Sequence, residues 1–159
     1  MKTELTRLVT FRLGDGTFAA DIFSVERVLR YTAPAAVPDL PPWIEGVIEY
    51  QHRVIPVVDL RRRVELPEVE RQHETRIIVL STDAGLIGAV VDAVLEVAAV
   101  PSNSISPPPP LFRGLAAEFL RGIVKLDETL VVILDVNRVL TGADRIVLEQ
   151  AMAGVAARA

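Results

Sequence analysis

Four aspartates, two histidines and a run of three arginines are the residues of this chain whose types and spacing suggest chemistry. Asp21, Asp59, Asp92 and Asp135 each follow an apolar run, so paired-carboxylate catalysis is the first possibility to weigh. Aspartic protease dyads arise by duplication too, but they need an Asp-Thr/Ser-Gly turn. Here the following residues are Ile22, Leu60, Ala93 and Val136. A carboxylate at a strand end more simply caps the next turn or helix. His52 and His73 have no cysteine beside them, and a metal site lacks the remaining ligands. No GxSxG, GxxxxGK[ST] or GxGxxG motif occurs, which removes the usual routes to a serine nucleophile or a bound nucleotide. Arg61, Arg62 and Arg63 read as a solvated helix face, neutralised by Glu65, Glu68 and Glu70. Nothing assembles a catalytic site.

The elements that position these residues repeat. Gly46–Leu60 (GVIEYQHRVIPVVDL) reads as two short β-branched strands around a polar middle, Gln51-His52-Arg53. Pro56 cannot donate to a ladder and points to a sheet edge or a bulge. The pattern returns as Gly122-Ile123-Val124 and Leu130–Val136 (LVVILDV), 76 residues on. Glycine and aspartate are 13 positions apart in both copies. Upstream, a strand, a turn and a second strand end in Asp21 and again in Asp92, an offset of 71 residues. A proline-rich connection follows each time, around Pro34–Pro42 and Pro101–Pro110. An internal repeat of this size predicts a duplicated β module. The expected layout is a first β unit over about 8–66 and a second over about 75–140, with Glu65–Glu74 as the charged connector.

Smaller signals fill in the rest. Gly14-Asp15-Gly16 predicts a hairpin turn, and Phe23–Leu29 suits one helical turn followed by a strand. Trp43, after Pro41-Pro42, reads as a core plug. Val147, Leu148, Ala151, Met152 and Val155 form a helix stripe over 143–157, with Thr141 as its N-cap. Half the residues are hydrophobic, 24% are charged and none is cysteine, which describes a folded chain without disulfides. The first ten residues hold no apolar signal core, and Asp92 and Glu96 interrupt the most apolar run. A cytoplasmic location is expected. A net charge of −4 gives no electrostatic reason to approach nucleic acid.

Taken together, FRLGDGTFAADIFSVERVL, the PPWIEGVI segment with VIPVVDLRRR, LIGAVVDAVLEV and LVVILDVNRVL resemble the CheW-like domain of bacterial chemotaxis coupling proteins. The resemblance covers nearly the whole chain in the family's order. It implies an all-β fold: two packed, five-stranded, SH3-like barrels with a C-terminal helix, in a single CheW-like domain over 1–159. It also implies a non-enzymatic adaptor, without cofactor or metal, that bridges methyl-accepting chemoreceptor tips to the regulatory domain of a CheA-type histidine kinase. The receptor-facing positions would be Val25, Arg27, Gly46, Gln51 and His52. Those facing the kinase would be Glu45, Pro110 and Leu111. Where the family usually reads Gly-Val-Ile-Asn-Leu-Arg-Gly, this chain has Gly46-Val47-Ile48-Glu49-Tyr50-Gln51-His52. The family's arginine is thus Gln51, its glycine is His52, and a family glutamate falls at Arg27. Two alternatives are a divergent coupler for twitching motility or another output, and an enzyme with a site between the β units.

Overall fold

The structure, a computed structural model, describes residues 4–63, 66–67, 70–108, 119–139 and 150. Ten strands follow one another: β1 (Leu5–Leu13), β2 (Gly16–Asp21), β3 (Val25–Arg30), β4 (Ile44–Tyr50), β5 (Arg53–Asp59), β6 (Arg76–Thr82), β7 (Gly85–Val91), β8 (Ala93–Pro101), β9 (Leu120–Leu126) and β10 (Thr129–Leu134). A one-turn helix, α1 (Leu60–Arg63), follows β5, and 3-10 turns sit at Ile22–Ser24, Ser102–Ser104 and Val136–Arg138.

The strands form two five-stranded sheets, ordered β8-β1-β2-β10-β9 and β3-β6-β7-β5-β4. Advancing each strand by five converts the first order into the second, so the duplication holds at the level of topology. The sheets do not follow the sequence halves, however. Residues 8–66 and 75–140 each supply strands to both sheets, instead of one contiguous barrel apiece. β1 and β2 join three strands of the second copy, and β6 and β7 join three of the first. After β3, Ala35 bridges to Val47 on β4, and after β8, Ser106 bridges to Ile123 on β9. Each bridge joins the segment after one outer strand to the other outer strand of the same sheet, closing a small barrel.

This layout explains the strand sequences. A strand with one wet face alternates, whereas IIVL on β6 and VVIL on β10 run apolar without a break. Ile77 and Val79 point into their own barrel, while Ile78 and Leu80 pack in a core built from strands of both sheets. On β10, Val131 and Ile133 face the barrel and Leu134 the shared core. Pro56 lies in an interior strand, not at an edge, and geometry shows how it is tolerated. Val47, its β4 partner, exchanges both backbone hydrogen bonds with Ala35, so the Val47–Pro56 pair is not hydrogen-bonded. The missing Pro56 donor therefore faces the β7 side, where pairing begins only at Val57. The expected helix over 143–157 and its cap Thr141 fall outside the described residues, except Gln150, which is helical.

Candidate interaction surface

β4 and β5 meet in a two-residue turn, with Gln51 at φ +48° and His52 at φ +63°. Two positive φ values in succession make a type I′ turn, whose twist matches that of the strands it joins. Its repeat mate, Asp127-Glu128 between β9 and β10, has φ +43° and +71°. The two hairpins share their register: Gly46 faces Val57 as Gly122 faces Ile133, and Tyr50 faces Arg53 as Leu126 faces Thr129. The expected correspondence of Gly46–Leu60 with Gly122–Val136 thus holds pair by pair. Each hairpin carries one bulge, at Glu45 and at Arg121.

Gln51 and His52 are exposed, as a polar turn should be. Arg27 is exposed on β3 opposite Val79, which packs with Tyr50. Arg27 therefore lies toward the end of the barrel where Tyr50 enters the turn. Its side chain makes no hydrogen bond or ion pair among the described residues. Val25, half-buried at the start of β3, packs against the shared core. Gly46 is buried at φ +154°, and a Cβ there would stand 2.1 Å from the Ala35 carbonyl oxygen. A Cβ at Gly122 would meet Ser106 O at 2.6 Å. These glycines let the closing bridge of each barrel approach, which is a structural task.

Glu45 is half-buried and engaged: the Tyr31 hydroxyl donates to it at 2.9 Å, and Arg71 pairs with it. Pro110 and Leu111 lie outside the described residues. The four aspartates behave as caps and tethers. Asp21 accepts from Phe23 N at 3.0 Å, Asp59 from Arg61 N at 3.0 Å and Asp135 from Asn137 N at 3.1 Å. Asp92 accepts from Gly14 N at 2.7 Å and pairs with Arg61.

The arginine run departs from its reading as a solvated face. Arg61 and Arg63 are buried, because each guanidinium finds acceptors or aromatic faces in the folded chain. Arg61 also donates from Nε to Pro67 O. The Arg63 guanidinium lies 4.4 Å from the ring centres of both Trp43 and Phe119, which are repeat mates, and donates to Val139 O at 2.7 Å. Trp43 is half-buried against the shared core. Sequence reasoning missed Phe23, which is 93% exposed, and Arg71, which sat unremarked in the charged connector. Among the described residues no cluster of His, Asp and Glu could hold a metal, and no helix is long and apolar enough to cross a membrane.

Two β-barrels joined through a shared core, with their hairpin turns exposed, make up the described fold. The family model for the CheW-like domain matches residues 7–144. Chemotaxis protein CheW of Bacillus subtilis (strain 168) is 32% identical over 134 residues, spanning 84% of this chain and 86% of the relative. Protein FrzA of Myxococcus xanthus is 36% identical over 115 residues, spanning 72% and 71%. The crystal structure of the scaffolding protein TtCheW from Thermoanaerobacter tengcongensis superimposes with a TM-score of 0.81 at 30% identity. That match covers 90% of this chain and 92% of the other. The chain belongs to the CheW-like domain family, as a non-enzymatic coupling scaffold of chemotaxis signalling.

Proposed function

We propose that this scaffold acts in the cytoplasm, linking the tip of a methyl-accepting chemoreceptor to the regulatory domain of a CheA-type histidine kinase. The receptor-facing surface comprises Val25, Arg27, Gln51 and His52, with Gly46 shaping the strand behind them. Glu45, Pro110 and Leu111 belong to the kinase side by resemblance, and the engagement of Glu45 with Tyr31 and Arg71 restricts it to a partly covered contact. The observation that carries the reading is the exposed Arg27, which has no carboxylate partner among the described residues. It lies near a turn where the family's own arginine is Gln51. Bidentate arginine–carboxylate contacts are geometrically specific, so such a group favours a receptor presenting an acid.

The test exchanges the two charges. Arg27→Glu with Gln51→Arg restores the family pair, and binding is measured to the native receptor tip and to a conventional one. The double variant should bind the conventional tip more tightly and the native tip more weakly. Unchanged preference would remove these positions from receptor selection. A second reading, a coupler in a chemosensory pathway with an output such as twitching motility, draws on the similarity to Protein FrzA.

A further inference from the structure

Glu45 and Asp59 hold one guanidinium between them. Arg71 Nη2 pairs with Glu45 and lies 3.0 Å from Asp59 Oδ2, while its guanidinium carbon sits 5.2 Å from the Tyr31 ring centre. The Tyr31 hydroxyl donates to the other Glu45 oxygen, fixing both residues. Two carboxylates beside an aromatic face suit a planar guanidinium, with its fork of donors, better than an ammonium.

All three cradle residues belong to the barrel. Tyr31 follows β3, Glu45 is the bulge of β4 and Asp59 ends β5. Arg71 instead comes from the connector ahead of β6, which has no regular structure at 70–72. The cradle is thus built independently of the residue that fills it. Beside Arg71 an open concavity of about 480 Å³ remains, walled by Tyr31, Pro34, Pro42 and Glu45 and bordered by Arg62 and Glu70. Both partners are partly solvated, with side chains 21% and 15% exposed, so exchange does not require opening the core. Copy two offers a contrast. There the bulge residue is Arg121, paired with Asp21 at 3.1 Å, so the acid of the cradle is reversed in sign.

We propose that Tyr31, Glu45 and Asp59 form an arginine-binding pocket for another protein chain, with Arg71 as its built-in competitor. An extended segment presenting an arginine docks there by displacing Arg71. Replacing one guanidinium with another, while Arg62 Nε stays 3.7 Å from Asp59 Oδ2, leaves the fully buried Asp59 neutralised, so the exchange strands no charge. A tethered side chain competes at an effective concentration in the millimolar range, which excludes free arginine. Only a segment with further contacts along the proline-lined wall overcomes it.

The probe is a synthetic ten-residue peptide copying residues 66–75, added to the isotope-labelled full chain and followed by NMR. Arg71→Ala should bind it with shifts at Tyr31 and Glu45, at least about tenfold more tightly than the wild type, whose own Arg71 competes. A peptide with alanine in place of its arginine should not bind, nor should the arginine peptide bind Arg71→Ala combined with Glu45→Gln. Equal binding to wild type and Arg71→Ala, or shifts away from Tyr31 and Glu45, would overturn the proposal, as would absence of binding to Arg71→Ala. If Arg71→Ala does not fold, Arg71→Gln takes its place under the same criteria.

Discussion

His52 holds φ +63° in the turn between β4 and β5, a backbone state that costs a residue with a Cβ about 1 kcal/mol relative to glycine. The fold supports this strain because the register of β4 and β5 over-determines the turn. His52→Gly should therefore raise stability by about 1 kcal/mol, read as a higher denaturant midpoint at unchanged slope. Gly46 predicts the opposite sign. A methyl there meets backbone, not the tip of a flexible side chain, so Gly46→Ala should cost about 3 kcal/mol or more. A thermal melt within 2 °C of wild type, roughly half the shift that 1 kcal/mol gives in a domain of this size, would refute the clash.

At the scale of an element, α1 shows what a short helix can do when flanked by two barrels. Its four residues cannot sustain a helix alone, and its stability comes from where its side chains go. Arg63 is held between Trp43 and Phe119, one aromatic from each copy, and ties Val139 O to the first copy. Arg63→Met keeps the apolar stem but removes both cation–π contacts and leaves a carbonyl acceptor unmet. A loss of about 2–3 kcal/mol is expected by chemical denaturation, and a loss below 0.5 kcal/mol would show that the stacking contributes little. The position of α1 was legible, since Asp59 announced a cap. The burial of its arginines was not, because charge type argues for water and only the tertiary arrangement supplies aromatic and carbonyl partners. Arg71 was hidden for the same reason: Glu45 and Asp59 lie 26 and 12 positions away in a sequence without periodicity at that point. The hairpins were legible because turn chemistry and β-branched runs are local. Phe23 was placed on its helical turn but not recognised as exposed, since one phenylalanine carries no sign of which way it faces.

For the whole molecule, the repeat in sequence and the repeat in space divide the chain differently. Matching glycines and aspartates at a fixed offset establish that two copies exist, yet no spacing says whether each copy folds upon itself. The sheet orders answer this: both barrels take two strands from one copy and three from the other. Each copy alone would leave β2 without β10, or β7 without β5, exposing the parallel pairings Val131–Thr17 and Val57–Gly88 and the apolar core behind them. Neither half has a complete barrel, so a fragment of residues 1–74 should remain unfolded, with no cooperative thermal transition. The same holds for 75–159. Mixed in equal amounts, the two fragments should recover the circular dichroism of the intact chain and melt in one transition whose midpoint rises with concentration, since association becomes part of folding. The intact chain should unfold in a single step with coincident signals from Trp43 fluorescence and far-ultraviolet dichroism, because the shared core couples the barrels. A cooperative melt of 1–74 on its own would mean that the exchanged strands are dispensable and that each copy can close a barrel by itself.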